Sequence, residues 1–359
     1  MADRVGLGIV GLGRWANAHA RAAARSESVR IVNCYARTEE TRRAYAAAHA
    51  VERTAASFEA LVADPAVEAV VVSTPNDLHA DQVAAVAAAG KPVLVDKPLA
   101  VDVAEGLELL RKVTAAGVPV GTAHHARRLA GHRAAREWID SGSAGDVRLA
   151  SGDFSNNRGA HMKPDAWHRS ARGSEAGVLI QVGIHQVDVM LYLLGPVAGV
   201  NARFEYGALG PTMPDAAAVT MTHTSGAVSV VTSSWTTPSH YRTDVLATGG
   251  NMSFRLDHGH WTNGDVDDHG ELVLDPTDGD RRPYPVSKGD PLRDQLDELG
   301  RAARSGTPMS VDVPAGLRAV AVVEASVLSA RRGGAPVSIE ELVLESGGSE
   351  REAALLLSS

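Results

Sequence analysis

The reading of the fold rests on one stretch, Val5-Gly6-Leu7-Gly8-Ile9-Val10-Gly11-Leu12-Gly13-Arg14-Trp15-Ala16. Val5 to Val10 has the length and composition of a buried strand, and it runs directly into a Gly-x-Gly-x-x-Ala turn. Each small residue has its own task. Gly11 permits the tight turn, Gly13 lets backbone approach a pyrophosphate, and Ala16 lets the next helix pack closely on the strand. That helix, predicted over Trp15 to Arg25, points free N–H groups and a partial positive charge at the phosphates. A glycine turn alone says little. Here a strand precedes it and a helix follows, which is the context that gives it meaning.

Working outward, the same alternation continues. Strands are predicted at Val29 to Tyr35, Ala69 to Ser73, Pro92 to Val95 and Val118 to Ala123. Helices are predicted at Thr41 to Ala50, His79 to Ala89 and Val103 to Ala115. Strands separated by helices of this length form a parallel sheet with helices on both faces. From about Leu149 the texture changes. Val147 to Phe154, Val200 to Tyr206, Ala217 to His223, Val228 to Trp235 and Thr243 to Thr248 are β-rich. Turn signals such as Thr224-Ser225-Gly226 and Gly249-Gly250-Asn251 separate them, as in antiparallel hairpins. Two long helical patterns, Glu175 to Leu194 and Pro314 to Ala330, are embedded.

The expected fold class is therefore α/β plus α+β. A doubly wound, dinucleotide-binding domain spans residues 1–125. A substrate-binding and oligomerisation domain with a mostly antiparallel open sheet spans 126–345. A tail, 346–359, reads equally as a frayed end or a docked helix.

Composition narrows the function. A chain of 359 residues suits two domains. Apolar residues at 44% and charged residues at 22% exclude wholesale disorder. A net charge of −8 argues against a general nucleic-acid binder, which needs a basic face. The single cysteine, Cys34, cannot form an intrachain disulfide and offers no cysteine-based zinc site. No basic region precedes a long apolar run at the start, and no stretch nears the roughly 18 apolar residues of a bilayer span. A cytoplasmic protein without a membrane partner is the expectation.

The end of the second strand bears on the cofactor. Dinucleotide folds usually place an acid there, bonded to the adenosine ribose. This chain reads Asn33-Cys34-Tyr35-Ala36-Arg37-Thr38. Arg37 in that place suits a 2′-phosphate, which favours NADP over NAD.

Thr74-Pro75-Asn76-Asp77-Leu78-His79 and Gly90-Lys91-Pro92-Val93-Leu94-Val95-Asp96-Lys97-Pro98 extend the pattern. So do His125-Ala126-Arg127-Arg128, Pro164-Asp165-Ala166-Trp167 and Gly183-Ile184-His185-Gln186-Val187-Asp188. In their order and spacing these segments resemble the Gfo/Idh/MocA oxidoreductases, from about Val5 to about Leu342. The resemblance implies a Rossmann domain followed by an open-sheet domain. It implies hydride transfer between NAD(P) and a carbinol or carbonyl carbon of a sugar, cyclitol or related polyol. It also implies a homodimer or homotetramer.

Site residues carry over one at a time. The family's Glu-Lys-Pro motif matches Asp96-Lys97-Pro98, so Lys97 takes the lysine role, with Asp96 as a shorter acid. The family's late histidine matches His185. Four residues earlier, where many relatives have aspartate, stands Gln181, which cannot titrate. The catalytic expectation is Lys97, His185 and Gln181. The cofactor-binding expectation is Gly11, Gly13, Arg14, Trp15, Arg37, Thr74, Pro75, Asn76, His79, Asp96 and Lys97. Trp167, His168, Asp188 and His125 are expected to face substrate.

Physical chemistry supports the pair independently. Oxidising an alcohol needs a base for the hydroxyl proton and a positive group for the developing alkoxide. Histidine titrates near neutrality. A lysine at the carboxyl end of a parallel strand lies where ligands bind in open α/β sheets. Gln181, His185 and Asp188 fall at i, i+4 and i+7, on one face of a predicted helix. Arg127 and Arg128 read most simply as exposed helical arginines. No metal is expected: His258, His260 and His269 among Asp257, Asp265, Asp267 and Asp268 read as an exposed hairpin. Two competing functions follow from the same residues. One is an NAD-dependent glycosidase or epimerase using transient oxidation; the other is a non-catalytic nucleotide-binding protein.

Overall fold

The computed structural model describes residues 4–163, 166, 172, 174–256, 270–285 and 289–358. Trp167, His168, Asp165 and the acidic, histidine-rich segment 257–269 lie outside the described residues.

The first sheet is six-stranded, in the order β3-β2-β1-β4-β5-β6. It comprises β1 (Val5–Val10), β2 (Val29–Tyr35), β3 (Arg53–Thr54), β4 (Ala69–Val72), β5 (Val93–Val95) and β6 (Val120–Thr122). All pairings are parallel. This is the doubly wound arrangement, with the chain reversing direction between β1 and β4. Every residue of β1, β4 and β5 is buried, as continuous apolar strands covered on both faces must be. The crossover helices are α1 (Arg14–Ala24), α2 (Glu39–His49), α3 (Phe58–Ala63), α4 (His79–Ala88) and α5 (Val103–Ala116). Aspartate, serine and threonine start several of them: Thr38, Ser57 and Asp102 each accept an N-cap hydrogen bond.

After α6 (Ala130–Asp140) comes β7 (Val147–Ser155), then α7 (Ile184–Leu194). The strands β8 (Val197–Glu205), β9 (Ala216–His223), β10 (Val228–Ser234), β11 (His240–Ala247), β12 (Gly250–Leu256), β13 (Gly270–Pro276) and β14 (Arg282–Pro283) follow. The chain closes with α8 (Pro291–Ser305), α9 (Val313–Arg331), β15 (Val337–Ser338), α10 (Ile339–Glu345) and α11 (Glu350–Leu357). The second sheet is nine-stranded among the described residues, ordered β14-β13-β12-β11-β7-β10-β9-β8-β15. It is antiparallel except at its centre, where β7 and β10 run parallel. Its strands alternate buried and open positions, so one face is covered and the other is left bare.

Two features were not legible beforehand. The helices α8 and α9 return to pack against the first sheet and its helices, so residues beyond 290 help cover the N-terminal half. Ser26 donates to Asp297 at 2.5 Å across that seam. The long helix expected from Glu175 to Leu194 is broken. A 3₁₀ turn covers Ser174–Ala176 and a π-helical turn covers Leu179–Gly183 before α7 begins.

The tail is a docked helix. Ser349 and Glu352 form a reciprocal capping box, and Ala353 and Leu356 are buried. Arg318 binds the carbonyls of Leu355, Leu356 and Ser358. By length and hydropathy α9 could cross a membrane, but 72% of its 18-residue apolar window is buried inside the protein, as befits a core helix.

Candidate active site

The carboxyl ends of β1, β4, β5 and β6 converge on one crevice, and backbone bonds stagger them in sequence. Ser73 N–H donates to Val10, Asp96 N–H to Val72 and Ala123 N–H to Val95. The first loop is the glycine turn. Gly11 adopts φ +82°, and a Cβ there would lie 2.5 Å from the Ser73 carbonyl oxygen, so only glycine fits. Gly13 differs: a Cβ there would meet nothing within 4 Å, so the space above it is open. It N-caps α1 without any side-chain cap, and no acid stands in the first helical turn. Uncapped N–H groups, an open approach and no competing carboxylate fit a pyrophosphate. Arg14 is exposed beside Trp15, its guanidinium 5.4 Å from the indole ring. Arg37 is exposed two residues beyond β2. Arg42 folds back onto the Ala36 carbonyl at 2.8 Å and steadies that connection.

The loops after β4 and β5 are tied together by His79. Its two ring nitrogens face the carbonyls of Pro98 at 2.6 Å and Thr74 at 2.9 Å, and the ring is 1% exposed. His79 was expected among the cofactor-binding residues. The buried ring donates to one of these carbonyls and packs against the other, and so braces the two loops. Thr74 spends its hydroxyl on Gln82 at 2.7 Å. Asn76 is buried and Pro75 half-buried in the same loop.

Asp96 follows β5 and is fixed from two sides. His19 on α1 meets one oxygen at 2.8 Å, and the Ser73 hydroxyl donates to the other. Burial pushes this carboxyl up, but the His19 charge and the bonds from His19 and Ser73 outweigh it and hold the acid below its usual range. Sequence reasoning passed over His19. The available signal was a histidine one turn after Trp15, on the Ala-rich face of α1 that packs on the sheet.

Lys97 is next, joined to Pro98 by a cis peptide bond. Its ammonium donates to the Gln181 main-chain carbonyl at 2.7 Å. Burial pulls Lys97 down from the ordinary lysine value to about 8, with Arg158 and Arg14 adding repulsion and Asp96 opposing it. Trp15, His19, Asp96, Lys97, His125 and Leu292 line the crevice itself.

His185, at the start of α7, is 2% exposed. Its ring lies 5.1 Å from that of His125, edge to face, and His125 in turn lies 5.1 Å from Trp15. Burial first, then the charge of Lys97 and the neighbouring His125 and His124, hold His185 well below the ordinary histidine value. Burial likewise lowers His124 to about 4 and His125 to about 3. Lys97, His185, His125, Asp96 and Trp15 thus share one region.

Asp188 does not join them as a substrate contact. It is fully buried, and both of its oxygens are held by Arg127, with His124 3.8 Å away. His185 and Asp188 keep their spacing on α7, while the π-helical turn displaces Gln181 from that line; the pairing with Arg127 is what takes Asp188 out of reach of a substrate. Arg127 is correspondingly a buried partner rather than an exposed helical arginine, and Arg128 pairs with Glu298. The Gln181 carbonyl, rather than its amide, meets Lys97. A larger cleft lies at the far end of α7, beside Tyr192, Arg136 and Arg318, and contains neither the glycine turn nor Lys97 or His185.

A glycine turn and an ammonium at the carboxyl edge of one doubly wound sheet, with an imidazole from the start of α7 beside them, define a dinucleotide-binding oxidoreductase fold. Residues 5–124 match the family model for an oxidoreductase family with an NAD-binding Rossmann fold. Residues 132–255 match the GFO/IDH/MocA C-terminal domain, and the chain belongs to this family.

A candidate NADPH-dependent oxidoreductase from Desulfitobacterium hafniense superposes with a TM-score of 0.90 at 31% identity, over 96% of this chain and 100% of that one. A 1,5-anhydro-D-fructose reductase of Ensifer adhaerens is 33% identical over 52% of this chain and 56% of its own length. A scyllo-inositol 2-dehydrogenase (NADP(+)) of Bacillus subtilis is 30% identical over 46% of this chain and 45% of its own. The chain therefore spans about half the length of these curated relatives in the matched regions.

Proposed function

We propose that this protein transfers a hydride between NAD(P) and a carbinol or carbonyl carbon of a sugar, cyclitol or related polyol. Lys97 polarises the oxygen and His185 exchanges its proton. The observation that carries the reading is a pair of buried neighbours, both lowered by burial, that stand in different charge states at neutral pH. With a value near 8, Lys97 is mainly an ammonium at neutral pH. His185, held far below its ordinary value, is neutral there and has a lone pair to accept a proton. One cation and one neutral base are what an alcohol oxidation requires.

The bound nicotinamide supplies the hydride acceptor or donor. Gly11, Gly13 and the α1 N-terminus would hold the pyrophosphate, and Trp15 and His125 line the crevice next to Lys97. Nothing among the described residues favours the glycosidase or the non-catalytic binder over this reading.

NADP is the preferred form. The end of β2 lacks an acid, and Arg37 is exposed there. Titration calorimetry tests both points together: NADPH binds more tightly than NADH, and Arg37→Ser removes the difference. Equal affinity for the two in the native chain rejects the preference; no binding of either rejects the function. The reading includes a homodimer or homotetramer formed through the bare face of the second sheet. There Leu149 stands in register with Val228 and Leu246. Analytical ultracentrifugation checks it.

A further inference from the structure

We propose that Gly183 is a positioning residue for Lys97: it lets the π-helical turn lie against β10, so that the Gln181 carbonyl receives the lysine ammonium. This rests on Lys97 being the oxygen-polarising group.

The turn Leu179–Gly183 is a single π-helical unit, closed by Ile184 N–H donating to the Leu179 carbonyl. Such units cluster at functional sites because they re-aim backbone groups. Here the re-aimed group is the Gln181 carbonyl, 2.7 Å from Lys97 Nζ. Gly183 itself has φ −60° and ψ −28°, which alanine adopts without strain. Its conformation therefore does not call for glycine; its surroundings do. A Cβ at 183 would sit 2.7 Å from Ser233 Oγ and 2.8 Å from Leu179 Cδ1. The leucine tip can swing aside. Ser233 is buried in β10, in ladder with β9, so its Cβ is fixed and its hydroxyl can move only by turning about χ1 inside the packed interior. With the hydroxyl kept in place by that packing, a methyl group at 183 lifts the turn off the strand and carries the Gln181 carbonyl with it. Because that carbonyl bonds the charged amine, losing it makes the ammonium easier to deprotonate.

The test reads Lys97 directly. Competitive acetylation with acetic anhydride across pH, followed by peptide mass spectrometry, gives the titration midpoint of each lysine, and the chain has only five. Gly183→Ala is expected to lower the Lys97 midpoint by about one pH unit. Turnover should fall while cofactor affinity is unchanged. Gly183→Ala combined with Ser233→Ala is expected to restore both, since the Ser233 Cβ is 3.4 Å from the added methyl, an ordinary contact. Should Gly183→Ala not fold, Ser233→Val presses on the same contact from the strand side and should lower the midpoint likewise. An unmoved Lys97 midpoint in the folded single variant, or failure of the Ser233→Ala rescue, overturns the proposal. Labelling needs no substrate, so a chain inactive on every polyol would reject the proposed reaction while leaving this result readable.

Discussion

Lys97 costs the fold stability, and that cost can be measured. An unfolded lysine titrates near 10.5, whereas burial pulls Lys97 to about 8 in the native chain. A difference of that size corresponds to about 3 kcal/mol by which the native state disfavours the ammonium. The sign follows from linkage. Below pH 8 both states carry the proton, and the native state bears the full penalty. Between pH 8 and 10.5 the unfolded chain binds the proton and the native chain does not, so stability rises with pH.

Lys97→Met removes the charge and keeps much of the side-chain volume. It also gives up the bond to the Gln181 carbonyl, worth roughly 1 kcal/mol. The variant is therefore expected to be more stable than the native chain by about 2 kcal/mol at pH 7, and inactive. At pH 9.5 that gap should have largely closed. Urea unfolding of both proteins at the two pH values, followed by circular dichroism, supplies the four free energies. A variant less stable than the native chain at pH 7, or a gap independent of pH, would refute the account of Lys97 as a desolvated ammonium.

Three further outcomes are expected. Gly11→Ala places a methyl group 2.5 Å from the Ser73 carbonyl at a positive φ. NADPH affinity by calorimetry should drop at least tenfold, and unchanged affinity would take the glycine turn out of the cofactor site. Arg127→Met leaves the fully buried Asp188 without its partner and should cost about 3–5 kcal/mol in chemical unfolding. Adding Asp188→Leu should recover most of that loss, and no recovery would mean that Arg127 stabilises through packing alone. Arg318→Met removes three hydrogen bonds to the last turn of the tail. Hydrogen exchange over 350–358 should then accelerate, and unchanged protection would show that the buried Ala353 and Leu356 hold the tail unaided.

The first half of the molecule was legible because its signals are local. An apolar strand, a glycine turn and a 3.6-residue period each announce themselves within a dozen residues, and β1 and β2 lie where the sequence puts them. The short β3 and α3 carry too few residues to show a period. The helices α6 and α8 were passed over because charge masks their apolar stripes. Even so, Asp290 before Pro291 and Gly306 after Ser305 are start and stop signals that could have marked α8.

The site was legible in kind rather than in detail. The positions of Lys97 and His185 came from motif order and from the chemistry such residues perform. What spacing could not show was the π-helical turn, which shifts register by one residue and moves Gln181 off the line it was expected to share with His185 and Asp188. Nor could it show pairings between distant segments. Arg127 with Asp188 and His19 with Asp96 join residues more than sixty positions apart. Asp188 read as a substrate contact for that reason, since a polar residue with an unseen partner reads as one that awaits a ligand.

The central claim is that the crevice around Lys97 and His185 carries out hydride transfer. The most direct test follows NADPH absorbance at 340 nm while the native chain meets a panel of sugars, cyclitols and their keto forms, with Lys97→Met and His185→Phe in parallel. The account predicts turnover on at least one member of the panel. Both variants should fall by at least a hundredfold in kcat while NADPH affinity stays within a few-fold of native. A variant at either position that keeps the native kcat would contradict it.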